Sequence, residues 1–90
     1  MSRYPTKITD EMLEKISNVS DQTIEKDIRD TDAEIDQLVR EYDFHKNTTD
    51  RMESFRQLSR LDDIQRRQDF VKFLTAVMDK RNERRTNLIL

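Results

Sequence analysis

The chain has 90 residues, of which 33% are hydrophobic and 40% are charged, and its 17 lysines and arginines nearly balance its 19 aspartates and glutamates. This size allows one small domain with a thin core, and the low net charge argues against a fully disordered chain. Because glycine and cysteine are both missing, the sequence excludes glycine-rich phosphate loops, disulfide bonds and thiolate metal sites, and it disfavours β-rich folds. We therefore predict an all-α protein that forms a single helical domain over residues 1–90.

The sequence also lacks the long apolar segments that direct proteins to membranes. No apolar run approaches the ~20 residues that a membrane-spanning helix needs. The first seven residues, MSRYPTK, lack the apolar segment of a secretory signal. We therefore expect a cytoplasmic protein that has no membrane partner.

The first segment, residues 1–8, is predicted to be an extended lead-in, because Pro5 biases the residue before it away from the helical region. Thr9 can cap a short helix over residues 10–17, since its hydroxyl can accept a hydrogen bond from a free N–H group of the first turn. Asn18 can end that helix in the left-handed conformation that asparagine tolerates.

The second helix is predicted over residues 21–46, with Ser20 as its cap. Its apolar residues alternate between steps of four and three, which is the heptad repeat of a helix that packs lengthwise on another helix. The predicted hairpin seam comprises Ile24, Ile28, Ile35, Leu38 and Tyr42, with Thr31 and His45 at the two remaining heptad positions.

The segment NTTD, residues 47–50, is predicted to contain the turn between the second and third helices. All four residues favour caps and turns over helix interiors. The heptad steps nevertheless continue to Met52, so the alternative is one uninterrupted helix to about residue 58 with a turn near Ser59. We favour the turn at residues 47–49.

The third helix is predicted over residues 50–86, followed by a tail at residues 87–90. Its segment FVKFLTAVM, residues 70–78, is apolar over more than half of the helix circumference, whereas a helix with one neighbour needs a stripe of only about 100°. We therefore expect a second copy to cover this segment, which makes a dimer or larger bundle. The alternative is that the first two helices cover it within one chain. The predicted oligomer interface comprises Phe55, Leu58, Leu61, Ile64, Phe70, Val71, Phe73, Leu74, Val77 and Met78.

The two halves of the chain carry opposite net charge. Residues 1–45 hold 12 acidic and 6 basic residues, and residues 46–90 hold 7 acidic and 11 basic residues. Acidic side chains such as Asp27 and Glu34 flank the seam of the second helix and oppose pairing of that helix with its own copy. We therefore predict that the second and third helices pair antiparallel as a coiled-coil-like hairpin, within one chain or as a swap between chains.

The sequence offers no constellation for catalysis or for metal binding. His45 is the only histidine, so a multi-histidine or thiolate metal site cannot be built within one chain. The carboxylates lie on helix faces that we predict to be solvated, where the shifted pKa values of acid–base catalysis are not expected. We expect no enzymatic activity, no cofactor and no small-molecule substrate.

A basic cluster near the C-terminus suggests an alternative function. Cationic helices bind phosphate backbones, so this cluster predicts contact with nucleic acid. The sequence pI of about 5.4 and the lack of interleaved aromatic residues weigh against it. A less favoured alternative is that the acidic second helix mimics DNA and occupies a nucleic-acid-binding protein. The cluster comprises Lys80, Arg81, Arg84 and Arg85.

These features favour a non-enzymatic protein–protein interaction module that acts as an adaptor, a regulator or an accessory subunit. Its expected partners are a second copy of itself, bound through the long third helix, and another protein. The prediction depends mainly on the apolar residues of the third helix, which exceed what one neighbouring helix covers.

Overall fold

Three α-helices form the regular structure of the computed structural model, which describes residues 4–5 and 7–89, the last of these by its backbone only. They are α1 (Asp10–Lys15), α2 (Asp21–Phe44) and α3 (Arg51–Ile89). No strand occurs among the described residues, and α2 packs against α3, so the prediction of an all-helical fold is confirmed. Residues 1–3 and 6 of the predicted lead-in, and residue 90 of the predicted tail, lie outside the described residues.

Each helix begins after a polar residue that caps it. The hydroxyls of Thr9 and Ser20 each accept a hydrogen bond from the backbone N–H three residues later, at 3.2 and 3.1 Å. A carboxylate oxygen of Asp50 accepts hydrogen bonds from the N–H groups of Met52 at 2.8 Å and Glu53 at 3.3 Å. These bonds satisfy N–H groups that have no partner inside the helix.

The first two helices end without a left-handed residue. Ile16 follows α1 with a φ of −110°, and His45 follows α2 with a φ of −103°. No described residue has a positive φ, so Asn18 does not adopt the left-handed conformation that we predict for it. At its C-terminal end, α1 is also two residues shorter than the predicted range 10–17.

The connection between α2 and α3 spans residues 45–50 and contains the favoured turn at residues 47–49. α3 runs without interruption through Ser59, so the alternative break at that residue does not occur. At 1.5 Å per residue, the 39 residues of α3 measure about 58 Å, close to the longest dimension of the molecule, 59 Å. Even so, none of the described helices is both long enough and apolar enough to cross a membrane.

Salt bridges between α2 and α3 join residues in reversed order along the two helices. A residue that comes early on α2 contacts a residue that comes late on α3. Each bridge joins an acidic residue of α2 to an arginine of α3. In the order of α2 they are Asp21–Arg81 at 2.7 Å, Glu34–Arg67 at 2.8 Å and Glu41–Arg60 at 3.7 Å, and Arg85 also pairs with Asp21.

The apolar core lies at the end of the molecule away from the turn, which we call the core half (residues 8–28 and 70–85). The Tyr4 ring stacks on the Phe73 ring with their centroids 5.3 Å apart, so the segment before α1 also covers α3. Each large apolar side chain that is buried in this way contributes about 1.5–3 kcal/mol. The buried core residues are Ile8, Leu13, Ile24, Leu74 and Val77.

Candidate functional site

Four large apolar side chains of α3 are exposed in the half of the molecule that contains the turn (the turn half, residues 38–61). Met52, Phe55, Leu58 and Leu61 are 64%, 62%, 63% and 44% exposed. Because residues three apart are neighbours on a helix surface, these four side chains form one continuous patch, the apolar row. Single exposed apolar residues are ordinary, but a contiguous apolar patch marks an interaction surface.

The apolar row is exposed because a different set of α3 residues faces α2. That set advances in alternating steps of four and three, and all of its members are buried or partly buried. A heptad set stays on one side of a supercoiled helix, whereas residues in steps of three drift by about 60° per step. The apolar row therefore winds across the outer surface of α3. The inward-facing set comprises Glu53, Gln57, Arg60, Ile64, Arg67, Val71, Leu74, Met78 and Arg81.

In the turn half, the α3 residues that face α2 are polar. Glu53 and Gln57 are buried, at 9% and 8% exposed. Glu53 accepts hydrogen bonds from Arg60 and Arg56, and Gln57 donates to the carbonyl oxygen of Tyr42 at 2.8 Å. Within the described residues, every buried side-chain nitrogen or oxygen has a hydrogen-bond partner. This polar layer is therefore satisfied without help from the apolar row.

The negative charge of Glu53 is stabilised by its neighbours. The hydrogen bond from Arg60 is the main cause that lowers the pKa of Glu53, burial of the carboxyl group opposes this effect, and Arg56 and His45 reinforce it. His45 Nδ1 lies 3.4 Å from a carboxylate oxygen of Glu53. Glu53 is therefore ionised at neutral pH and connects the end of α2 to the first turns of α3.

The ten residues of the predicted oligomer interface fall into two groups. Three of them belong to the exposed apolar row, and Ile64 is partly buried. Of the other six, all except Val71 belong to the apolar core of the chain or pack against it, and the Tyr4 ring also stacks on Phe73. This packing is what the intrachain alternative expects for residues 70–78, and the oligomer interface stays a prediction. Leu74 and Val77 are buried, and Phe70, Val71, Phe73 and Met78 are partly buried.

The predicted hairpin seam occupies the inner side of α2. Ile24 and Thr31 are buried, at 2% and 8% exposed. Two apolar residues of α2 that lie outside the heptad set, Val39 and Phe44, are exposed instead. The steps of four and three thus separate the inner from the outer side of this helix. The partly buried seam positions are Ile28, Ile35, Leu38, Tyr42 and His45.

Two arginines of the basic cluster connect the start of α2 to α3. Arg81 donates hydrogen bonds to Asp21 at 2.7 Å and to the carbonyl oxygen of Ile16 at 2.9 Å. Arg85 pairs with the second carboxylate oxygen of Asp21. The hydrogen bonds from Arg81 and then Arg85 are the main causes that lower the pKa of Asp21. These contacts hold the connection between α1 and α2 against α3.

The other two cations of the cluster do not contact Asp21. Lys80 pairs with Glu83 at 3.6 Å, and Arg84 forms no ion pair or hydrogen bond with another described residue. Arg84, together with Leu13 and Val19, lines an open cavity of about 440 Å³. Because Asp21 partly neutralises the cluster, its positive potential is weaker than the sequence suggests. Nucleic-acid contact by this cluster stays a prediction.

The polar clusters around Glu53 and Asp21 lie outside the sequence-based predictions. Hydrophobicity does not indicate the Glu53 cluster, because the α3 residues that face α2 in the turn half are polar. The signal was present in the charges, since steps of four and three also connect Glu53, Gln57 and Arg60. For Asp21 no comparable signal exists, because its partner Arg81 is 60 residues away.

The described part of the chain holds no group of three or more His, Cys, Asp or Glu side chains placed to bind a metal ion. Its single histidine, His45, contacts Glu53 and lies nearly perpendicular to the Phe44 ring. Comparison of the chain with protein-family models, with curated proteins and with solved structures finds no match.

Proposed function

We propose that this chain is a non-enzymatic helical interaction module that self-associates through the apolar row of α3 and acts as an adaptor, a regulator or an accessory subunit for another protein. The observation that carries the proposal is the exposure of four neighbouring apolar side chains on one helix. Contact with water is unfavourable for such side chains, and each gains about 25 cal/mol for every Å² that a partner removes from water. Self-association is the simplest way to remove that area.

In this proposal, α2 and α3 form an antiparallel, coiled-coil-like hairpin within one chain. The reversed order of the salt bridges supports this arrangement, as do the heptad steps on both helices. The hairpin matters for function because a continuous helix, and not a loop, then presents the apolar row. A site on a rigid element loses little conformational entropy when a partner binds.

The polar layer beneath the apolar row keeps that row on the outside. If α3 rotated to bury Phe55 and Leu58 against α2, Gln57 would lose its hydrogen bond to the Tyr42 carbonyl oxygen and Glu53 its contact with His45. A hydrogen bond of this kind contributes about 0.5–1.5 kcal/mol. The layer therefore opposes intramolecular burial of the row and leaves it available to another chain.

The first experiment is size-exclusion chromatography with light scattering, over a range of concentrations at low and moderate salt. We expect a mass above the 10.9 kDa of one chain, because two apolar rows associate when concentration allows. The variant with Phe55→Asp and Leu58→Asp should return the mass to that of one chain and keep its helical circular-dichroism spectrum. A monomeric wild type at every concentration would remove the proposal.

A matched control tests whether any charge on α3 has the same effect. Leu88 is 85% exposed and lies on α3 outside the apolar row. Leu88→Asp should therefore leave the mass of the assembly unchanged. If Leu88→Asp dissociated the assembly as completely as the double variant, the interface would lie elsewhere on α3.

A further inference from the structure

In the segment of α3 that carries the apolar row, residues at equal distances on either side of a midpoint are complementary in chemistry. The residues of segment 51–62, RMESFRQLSRLD, form pairs at equal distances from the midpoint between residues 56 and 57. The exposed members match by chemistry: an arginine with an aspartate, two apolar pairs and two serines. These pairs are Arg51–Asp62, Met52–Leu61, Phe55–Leu58 and Ser54–Ser59.

This symmetry has a direct meaning for two copies of the chain. When two identical helices pack antiparallel about a two-fold axis, each residue faces the residue at the same distance on the other side of the axis. An axis level with the midpoint of segment 51–62 would therefore set Phe55 against Leu58 of the second copy. Met52 and Leu61 flank this contact, one on each side, because the step of nine residues from one to the other turns the helix by about 180°. The same axis would also set Arg51 against Asp62, twice, because the interface repeats itself.

We propose that the partner of the apolar row is a second copy of this chain, packed antiparallel on α3 with the two-fold axis between Arg56 and Gln57. This inference rests on the proposed self-association and adds its orientation and register. The inward members of the same segment do not compete for the partner, because Glu53 bonds to Arg60 within the chain. Gln57 is likewise bonded within the chain, to Tyr42.

Other arrangements of the same two helices are less complementary. A parallel pair would set each residue against itself, so that Arg51 faces Arg51 and Asp62 faces Asp62, and like charges at such positions disfavour pairing. An antiparallel pair shifted by four residues would set the aromatic ring of Phe55 against the carboxylate of Asp62. The proposed register is the one that matches apolar residues with apolar residues and an arginine with an aspartate.

The charges at the ends of the segment are available for this contact. Arg51 forms no ion pair with another described residue. Asp62 pairs with Arg66 at 2.9 Å, but both side chains are at least half exposed, and an exposed pair of this kind contributes little to stability. Asp62 can therefore face Arg66 and the Arg51 of a second copy together.

The size of the apolar row sets the strength of the association. The four side chains expose on the order of 400 Å² per copy, which is less than the ~800 Å² per partner of a standard stable interface. The face that meets the second copy, residues 51, 55, 58 and 62, spans only about three helical turns, so the two helices touch over a short length. We therefore expect a weak, concentration-dependent dimer.

Because the chain has no cysteine, single cysteines can report the orientation of the pair. We would prepare Arg51→Cys with a size tag and Asp62→Cys without one, and oxidise them separately and as a mixture. A short bismaleimide cross-linker provides a second readout that demands less exact geometry than a disulfide does. Products are separated by mass on a non-reducing gel.

The mixture should yield the cross-linked pair of different masses, and each variant alone should yield little. The reason is that positions 51 and 62 face each other in the proposed register, whereas two copies of the same position lie about 17 Å apart along the axis. Leu88→Cys mixed with tagged Arg51→Cys is the control. That pair should not cross-link, because position 88 lies far from the interface.

The alternative outcomes separate this inference from the function on which it rests. Strong cross-links within Arg51→Cys alone and within Asp62→Cys alone would indicate parallel pairing and overturn the proposed register. If light scattering still showed a dimer, self-association through the apolar row would stand. A wild-type chain that light scattering finds monomeric at every concentration would overturn both.

Discussion

Arg60 donates a hydrogen bond to Glu53 two turns earlier on α3. Both side chains are largely buried, since 18% of the Arg60 side chain and 12% of the Glu53 side chain are exposed. In the same stretch of helix, Phe55 and Leu58 are more than 60% exposed. Charge thus lies on the inside and hydrophobicity on the outside of the turn half. That inversion is the reason we assign this end of the molecule to a partner and the core half to stability.

Glu53→Gln should destabilise the fold, because it removes the negative charge that Arg60, Arg56 and His45 share. We expect the melting temperature to fall by several degrees, as is usual for a domain of this size when a charged network is broken. Thermal melts followed by circular dichroism would measure it. Glu25→Gln on the exposed side of α2 is the matched control and should melt as the wild type does.

The stability should fall at acid pH through Glu53 and Asp21. Their pKa values lie below the ordinary values of 4.5 and 3.8, so protons bind more readily to the unfolded chain than to the folded one. Their contribution is therefore fully present above about pH 5 and is lost as the pH falls through the lowered pKa values. Urea midpoints measured from pH 7 to pH 3 should decline less steeply for the Asp21→Asn, Glu53→Gln double variant. An identical slope in both proteins would contradict this assignment.

Arg81→Lys should destabilise the fold although it keeps the positive charge. A lysine lacks the planar fork with which Arg81 bonds both Asp21 and the Ile16 carbonyl, and bonds to charged groups contribute about 1.5–3 kcal/mol. Urea denaturation would show a loss of that order. Arg84→Lys, at an exposed arginine of the same cluster, should leave the midpoint unchanged.

Val77 and Leu58 should respond to truncation in opposite ways. Val77 is 0% exposed, so Val77→Ala should cost about 2 kcal/mol of folding stability through lost burial and the cavity it leaves. Leu58→Ala should alter the stability of one chain by less than about 0.5 kcal/mol and yet weaken self-association. Urea denaturation at low concentration and light scattering at high concentration separate the two effects. If Val77→Ala reduced the mass of the assembly and left the fold stable, the core would be assigned wrongly.

A charge-exchange cycle should detect the pairing of Arg51 with Asp62 of a second copy. Arg51→Asp alone sets acid against acid, and Asp62→Arg alone sets base against base, so each should weaken the dimer about 2–5-fold, as expected for exposed pairs. The double exchange restores opposite charges and should recover most of the affinity. Sedimentation equilibrium provides the dissociation constants. Additive weakening in the double variant would show that these residues do not meet.

Hydrogen bonds and apolar spacing within each helix made much of the fold predictable. Thr9, Ser20 and Asp50 act over three residues or fewer, so their roles as helix caps can be read from the sequence. α2 carries apolar residues at most of its heptad positions, so its inner side could be read as well. All of these features depend on residues that are close together in the sequence.

The sequence by itself therefore determined the helical class, the helix starts and the inner side of α2. Only the tertiary structure decided which side of α3 faces inward, because that choice depends on polar partners distant in sequence, such as Tyr42 for Gln57 and Asp21 for Arg81. It also decided that Leu13 of α1 packs in one core with Leu74 and Val77 of α3, since a six-residue helix can reach a long one only where the chain folds back on it. The spacing of residues within one helix does not identify a partner on another helix, and these contacts between distant residues leave the apolar row exposed.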